Sequence, residues 1–336
     1  MTLRDELLRL FPDLRKVPAG AYVVGGAVRD LLLGRHPADA DVASNDPLAA
    51  ARALRHKVIR LGKGEHLSAY RVVLGEHVYD FAALLDHDIQ ADLARRDFTI
   101  NAMAVSLDDG THLDPHDGRR DLEARVVRMV NAWNFDDDPL RMLKAVRMAV
   151  THRFAIDEAT LDAIRPRAAR INEVAAERVA FELSLIFSAN AFAMAVELLR
   201  RTELDVALGL KSRDGREDVP FELAMALLVN DPREFGERWR WSEALIRDVA
   251  TLQKLMRGHD LIALYDAGER LARMTGDANL PDFTIKPLLT GEEIGRLANL
   301  EPGPQLGKVK RALLEAQVRG EVKTREDAER FVTASA

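Results

Sequence analysis

The chain has 336 residues, 47% hydrophobic and 30% charged, a balance that excludes a disordered or collagen-like polymer and leaves room for two or more domains with a sizeable core. It has no cysteine, which excludes disulfides and cysteine-based zinc sites and permits a reducing cytoplasm. Its net charge of −6 provides no overall electrostatic footprint for nucleic acid, so any RNA site must be a local patch.

The opening MTLRDELLRLF has no long apolar core after basic residues, so no signal peptide is expected, and residues 3–11 read as a short amphipathic helix. No apolar stretch is long enough to span a bilayer, and a cytoplasmic protein with no membrane partner is the expectation. Tyr22-Val23-Val24 reads as a buried strand, which Gly25-Gly26 breaks. Residues 27–33 then read as a helix closed by Gly34. Asp39 and Asp41 follow with one residue between them, and residues two apart on a strand face the same side. Two carboxylates so close repel each other unless a cation lies between them. A hard divalent ion that also holds phosphate oxygens, usually Mg²⁺, suits this geometry. The Gly-Gly turn removes side chains where a backbone could approach a triphosphate, and the helix after it offers unbonded N–H groups. Taken singly, a Gly-Gly before a helix is usually a tight turn, and a lone DxD is usually a solvated pair.

Together, in the order strand–GG–helix–DxD, these pieces resemble the head of the nucleotidyltransferase superfamily shared with DNA polymerase beta. The form GGxVRDxLLG followed by DxD is similar to its class II tRNA nucleotidyltransferase and bacterial poly(A) polymerase branch. The resemblance implies an α+β head with a small mixed sheet, then an all-α neck, body and tail in an elongated molecule. It also implies metal binding by Asp39 and Asp41 and nucleotide contacts from Gly25, Gly26 and Arg29.

Further along, residues 47–60 read as a helix running into a strand, and Lys63-Gly64-Glu65 as a turn. Tyr70 to Leu74 and His77 to Phe81 read as a hairpin joined at Gly75. Asp80, inside the second strand, would suit an edge facing solvent. Beside the DxD, a third carboxylate also suits metal-assisted phosphoryl transfer, to bind metal or take the proton of the attacking hydroxyl. The resemblance places a family acid at this position. RRDFTINAMA, residues 95–104, reads by itself as a charged loop entering an apolar strand over 102–107 that turns at Asp109-Gly110. It is similar to the family's second motif, which implies that Arg96, Asp97 and Asn101 help hold ribose and phosphates. An arginine fork suits phosphate, and an aspartate can accept from a ribose hydroxyl. DPHDGRRDL, residues 114–122, reads as a turn and helix start. It resembles a motif linking head to neck, expected to position domains. His87-Asp88 and His116-Asp117 would suit a metal phosphohydrolase, but no second His at helical spacing supports that.

From Asp121 onward helical periodicity dominates. Pro139 suits a first helical turn, with Asp136-Asp137-Asp138 ahead of it as cap and dipole partners. Asp138 and Arg141 are three apart and share a face, usually as an exposed salt bridge of little worth. The run resembles the family's EDxxR motif, which implies a protein template. Asp138 would accept from the exocyclic amine of cytosine or adenine while Arg141 donates to the neighbouring ring acceptor. Lys144 and Arg147 complete the expected nucleotide-binding set. Three positions depart from the pattern: Asp137 stands for Glu, Lys144 for Arg and Met148 for Phe, and Lys144 lacks the planar fork. ERVAFEL, residues 177–183, resembles the next motif and reads first as an internal salt-bridge network.

Between 191 and 271 the helices carry no legible chemistry. Arg200-Arg201 reads as a solvated face, and Trp239-Arg240-Trp241 as half-buried packing in preference to base stacking. Thr275 to Pro287 reads as a linker. Residues 303–311, with Lys308, Lys310 and Arg311, resemble the family's tail and read equally as an RNA phosphate grip or a surface helix. The expected division is a nucleotidyltransferase head at 1–120, a helical neck at 121–190, a body at 191–274 and a tRNA-binding tail at 275–336. The implied reaction is attack by a tRNA 3′-hydroxyl on the α-phosphorus of CTP or ATP, with Mg²⁺ as cofactor and no protein partner. Only residues 81–94 separate the third acid from RRDF, where CCA-adding relatives usually carry a longer loop, so addition of two cytidines is favoured. Full CCA addition comes next, then poly(A) polymerase, disfavoured for want of a long basic C-terminal extension. An inactive RNA-binding protein on the same fold is the alternative outside enzymes.

Overall fold

The computed structural model describes residues 2–61, 69–211 and 219–335. The turn expected at Lys63-Gly64-Glu65 lies outside them. The chain forms two compact units, Met1–Glu217 and Asp218–Ala336.

The first unit opens with α1 (Leu3–Leu10), started by a capping box between Thr2 and Asp5. There follow β1 (Tyr22–Val24), α2 (Gly26–Leu32), β2 (Asp39–Ser44) and α3 (Pro47–Ala53), whose first turn Asp46 caps. Next come β3 (Val58–Leu61), β4 (Ala69–Leu74), β5 (His77–Ala83), α4 (Ile89–Ala94), β6 (Ala104–Ser106), β7 (His112–Leu113) and α5 (Gly118–Ala124). The strands make one seven-stranded sheet in the order β3-β4-β5-β2-β1-β6-β7. β2 and β5 run parallel and the other neighbours antiparallel. A parallel pair needs a crossover, here the excursion through α3, β3 and β4. Gly75, at φ +60°, makes the tight turn of the β4–β5 hairpin. One face of the sheet buries Val23, Val42, Tyr79 and Phe81, with α3 packed on β2, β4 and β5. The other buries Val24, Ala43 and Ala104 together with Leu93 of α4. That second face also carries Asp39, Asp41 and Asp80.

The rest of the unit is helical as expected, with one short strand pair among the helices. β8 (Val126–Val127) and β9 (Ala155–Ile156) pair in parallel beside α6 (Asn134–Asp137) and α7 (Leu140–His152). Two-residue strands are too short to leave an alternating pattern in sequence. α8 (Glu158–Ile164), α9 (Ala176–Phe187), α10 (Phe192–Arg201) and α11 (Leu204–Leu208) complete the unit. α7 packs on α9 and α10 and buries Met142, Leu143, Ala145, Val146 and Ala149. Its half-buried positions include Asp138, just ahead of it, then Arg141, Lys144 and Arg147, one stripe at a spacing of three.

The second unit holds α12 (Phe221–Leu228), α13 (Pro232–Arg238), α14 (Glu243–Arg257), α15 (Leu261–Ala267), α16 (Glu269–Met274), α17 (Gly291–Ala298), α18 (Pro304–Val318) and α19 (Arg325–Ala334). Trp239 is 3% exposed, and the Trp241 ring lies 5.0 Å from that of Phe235, which is the packing role. The non-helical stretch after Met274 is pinned by His259 to Asp277 at 2.6 Å and by the Tyr265 hydroxyl donating to the Ile285 carbonyl at 3.0 Å. Among the described residues no helix is long and apolar enough to cross a membrane.

Candidate active site

Along β2, Ala40 and Val42 are buried at 0% and 1% exposure, so Asp39 and Asp41 must turn to the opposite face. Asp41 lies in register with Asp80 on the parallel strand β5. Burial, then the neighbouring Asp39 charge, push the Asp41 carboxyl up to about 6 against an ordinary 3.8, with Asp80 adding to the push and Arg96 and Arg71 opposing it. Asp80 has a partner of its own. Arg71, opposite it on β4, donates Nε to Oδ1 at 2.8 Å and Nη2 to Oδ2 at 2.6 Å. Among the described residues, therefore, no three acids or histidines gather into one metal-ligand cluster. Asp39 and Asp41 remain as a two-carboxylate donor set. That set suits Mg²⁺, which binds through one or two carboxylates plus substrate phosphates.

Gly25 connects this pair to the RRDF motif. Its φ is +71°, and its N–H donates to the Met103 carbonyl at 3.1 Å. A Cβ there would sit 2.9 Å from Arg96 Nη1 and 3.7 Å from Asp41 Oδ2. The missing side chain is thus what lets Arg96 lie against the turn. Arg96 is held from behind by Asp92, which accepts its Nε at 3.2 Å and its Nη2 at 3.0 Å. Asp92 is 2% exposed and also takes Arg95 at 2.9 Å. Arg29 of α2 donates to Asn101 Oδ1 at 2.6 Å, and Asn101 Nδ2 donates to Asp97 at 3.0 Å. Arg29, Asn101 and Asp97 therefore form one chain of bonds.

DPHDGRRDL braces that motif. Asp114 accepts the N–H of Gly118 at 2.6 Å, and Asp121, 4% exposed, accepts the Thr99 hydroxyl at 2.7 Å. A Cβ on Gly118 would meet the Thr99 carbonyl oxygen at 2.2 Å, so only glycine allows this approach.

Arg141 joins the neck helix to the same loop by donating Nη1 to the carbonyls of Arg95 at 2.8 Å and Asn134 at 3.3 Å. The Asn134 amide in turn donates to the carbonyls of Arg96 at 2.7 Å and Ala94 at 3.2 Å. Asp138 accepts the Leu140 N–H at 3.3 Å on one oxygen and Arg178 at 2.9 Å on the other. Asp138 lies in extended backbone just ahead of α7 and Arg141 in its first turn, and each has its own anchor. Arg147, further along α7, donates to Glu182 at 2.7 Å, and the Glu182 carboxylate is buried. Arg178 and Glu182 both belong to ERVAFEL, so the salt-bridge reading of that motif describes its contacts. Lys144 lies half-buried between Arg141 and Arg147.

The tail residues lie in the other unit. Lys308 and Lys310 are exposed on α18, and Arg311 is committed to Asp266 and to Glu315 at 2.7 Å. Arg71 and Asp92 were not singled out from sequence, and Arg178 only as part of ERVAFEL. Asp92 had a readable signal, an acid three and four residues ahead of two arginines on one helix.

A sheet that sets a glycine turn against paired strand acids, followed by a helix that carries an arginine with an acid just ahead of it, has the build of a nucleotidyltransferase. Residues 21–87 and 76–128 match the poly(A) polymerase head domain, and residues 153–206 match the probable RNA and SrmB-binding site of polymerase A. The A-adding tRNA nucleotidyltransferase of Deinococcus radiodurans is 32% identical, over 97% of this chain and 98% of that one. The CC-adding tRNA nucleotidyltransferase of Thermus thermophilus is 29% identical, over 94% and 93%. The fold is shared with the CCA-adding enzyme of Bacillus stearothermophilus in complex with CTP, at a TM-score of 0.76 and 24% identity over 99% of this chain and 98% of that one. The chain belongs to the class II tRNA nucleotidyltransferase and poly(A) polymerase family.

Proposed function

We propose that this enzyme adds CMP from CTP to the 3′ end of tRNA without a nucleic-acid template and stops after two cytidines. The observation that carries the reading is that Asp41 and Arg96 both face the bare turn at Gly25, while the carbonyl of Arg95, the residue before, holds Arg141. The 3′-hydroxyl attacks the α-phosphorus, the α–β phosphoanhydride bond breaks and pyrophosphate leaves. Asp39 and Asp41 would hold Mg²⁺, which when bound would supply positive charge toward the attacking hydroxyl and the triphosphate. Asp80 takes the proton, since each carboxylate oxygen keeps a second lone pair beyond the one given to Arg71. Gly25 and Gly26 let the backbone approach the phosphates. Arg29, Arg96, Asp97 and Asn101 hold phosphates and ribose.

Asp138 and Arg141 read the base. Uracil and guanine present the opposite donor–acceptor pattern and leave groups unpaired, at about 1–3 kcal/mol each. Lys144 and Arg147 flank the reader. Lys308, Lys310 and Arg311 grip the RNA backbone from a tail at 275–336, with 1–120 as head, 121–190 as neck and 191–274 as body.

The choice of CC addition is supported by the single turn Leu85–His87 that links β5 to α4, with no longer loop between them. It is also supported by the likeness to CC-adding relatives. The full-length likeness to an A-adding relative favours a second reading, transfer of the terminal AMP only. Incubation with Mg²⁺, labelled CTP or ATP, and tRNA ending at the discriminator base or at CC separates them. Two cytidines and then arrest is the expected result. CCA completion, adenylation of the CC end alone, or a long A tract would replace CC addition. No transfer of label to any substrate would leave an RNA-binding protein.

A further inference from the structure

We propose that Trp133 and Phe181 are stacking surfaces for the unpaired 3′-terminal nucleotides of the acceptor RNA, a role that rests on the nucleotide-transfer reading. The chain has 12 Phe, 4 Tyr and 3 Trp. All are described, and Trp133 at 51% and Phe181 at 62% are the two that stand exposed. Large rings ordinarily go to the core, and the others here are buried or half-buried.

Both exceptions lie on the segments that meet at Asp138: the turn that opens α6, which Asp138 ends, and α9, whose Arg178 holds it. Trp133 immediately precedes α6, and its carbonyl accepts the N–H of Asp136 at 2.9 Å and of Asp137 at 3.2 Å. Its neighbour Asn134, fully buried, ties this turn to the carbonyls of Ala94 and Arg96. Phe181 follows Arg178 by three residues on α9 and so shares its face, and Arg178 is the residue that holds Asp138. Leu185, 36% exposed, continues the apolar strip along that face.

Arginines bond to acids within one turn of Trp133, and one lies a helical turn from Phe181. Arg167 and Arg170 converge on Asp136 at 3.0 and 2.7 Å, three residues from Trp133, and Arg178 precedes Phe181 on α9. Aromatic faces interleaved with arginines bind single-stranded nucleic acid with little regard to sequence, because every base has a π-face and every linkage a charge. The acceptor end needs such tolerance. Its last base is the discriminator before the first addition and a cytosine before the second. The incoming base has a hydrogen-bonding reader, so sequence-blind rings beside that reader suit the strand that changes at each round.

The test compares wild type with Trp133→Ala and Phe181→Ala, and with Trp133→Phe and Phe181→Tyr as rescues. The KM for tRNA and for CTP are measured separately. Quenching of 2-aminopurine at the RNA 3′ terminus is read without nucleotide, so it reports stacking independently of chemistry. Both side chains are exposed, so the alanine variants are expected to fold. Each should raise the KM for tRNA by roughly 5- to 100-fold, the usual cost of losing a base stack, and lose quenching. The KM for CTP should move less than about two-fold, and the aromatic rescues should recover both readouts. Unchanged tRNA KM and quenching overturn the proposal, as does a rise in CTP KM alone. Quenching by a wild type that transfers no nucleotide would sink the transfer reading and keep the stacking surfaces. Transfer by a wild type whose variants quench equally would do the reverse.

Discussion

Asp41 and Asp80 stand in register on adjacent parallel strands, yet Arg71 closes on both oxygens of Asp80, while the Asp41 carboxyl is pushed up to about 6 by burial and by Asp39. A carboxyl whose folded value lies above its unfolded 3.8 destabilises the folded state as pH rises through that interval. The span corresponds to about 3 kcal/mol, fully felt above pH 6. In chelator, Asp41→Asn should therefore be more stable than wild type at pH 7.5 and similar to it below pH 4. The same variant should lose transfer by ~10³-fold or more, since the donor set for the cation is broken. Urea melts with and without Mg²⁺ check the first effect. Equal stability of the two proteins at pH 7.5 in chelator would show that Asp41 carries no such strain.

Asp92 holds two arginines from a nearly inaccessible position. Removing the shared acid leaves Arg95 and Arg96 without their anchor. Asp92→Ala is expected to cost about 3 kcal/mol and to raise the KM for CTP more than the KM for tRNA. Equilibrium unfolding and steady-state kinetics measure the two parts. A change confined to the KM for tRNA would disconnect Asp92 from the nucleotide.

Arg141→Ala should lower the preference for CTP over UTP by roughly 10- to 100-fold, the cost of one or two unpaired groups at the base edge. Arg178→Ala should lower it less, because Asp138 keeps the Leu140 N–H on its other oxygen. Single-turnover rates with each nucleotide are the readout. Unchanged selectivity in Arg141→Ala would remove the template role.

His152 sits at 9% exposure on α7, with Nδ1 accepting from Arg35 at 2.7 Å. Burial first, then Arg29 and Arg35, hold its value down to about 4. A folded value below the unfolded 6.5 leaves stability intact above pH 6.5 and removes it as pH falls toward 4, by about 3 kcal/mol in all. His152→Asn keeps an acceptor for Arg35 and does not titrate. Its unfolding free energy should therefore decline less than that of wild type between pH 7 and pH 4.5, and parallel declines would contradict the assignment.

Gly118→Ala should cost about 3 kcal/mol or more, since its Cβ would press on the Thr99 carbonyl oxygen at 2.2 Å. Thr99 lies between Asp97 and Asn101, so the KM for CTP should rise as well. A melting temperature within a degree of wild type would mean the two backbones move apart at no cost.

The acids of β2 were legible because they repeat at the strand's period of two, and the pair at 138 and 141 because Pro139 between them marks a helix start. The glycine turn, the hairpin and the neck helix were legible from such local signals too. Arg71 was not, because its meaning comes from the strand beside it, and pairing across strands leaves no mark at a fixed spacing. Arg178 was seen only as part of a salt-bridge motif, since its partner lies 40 residues away on another element. Trp133 and Phe181 left no periodic signal at all. Exposure of a ring is a property of what surrounds it.

The fork of Arg141 closes on the carbonyl of Arg95, one residue before the guanidinium that rests against Gly25. If Arg141 reads the base and Arg96 holds phosphate, as proposed, a misfitting ring that dislodges Arg141 tugs the peptide that leads into Arg96. On those proposed roles, fidelity and speed would be mechanically ganged in this loop, an error at the ring being felt as slack at the reacting phosphorus. Discrimination by slower chemistry then needs no separate editing domain.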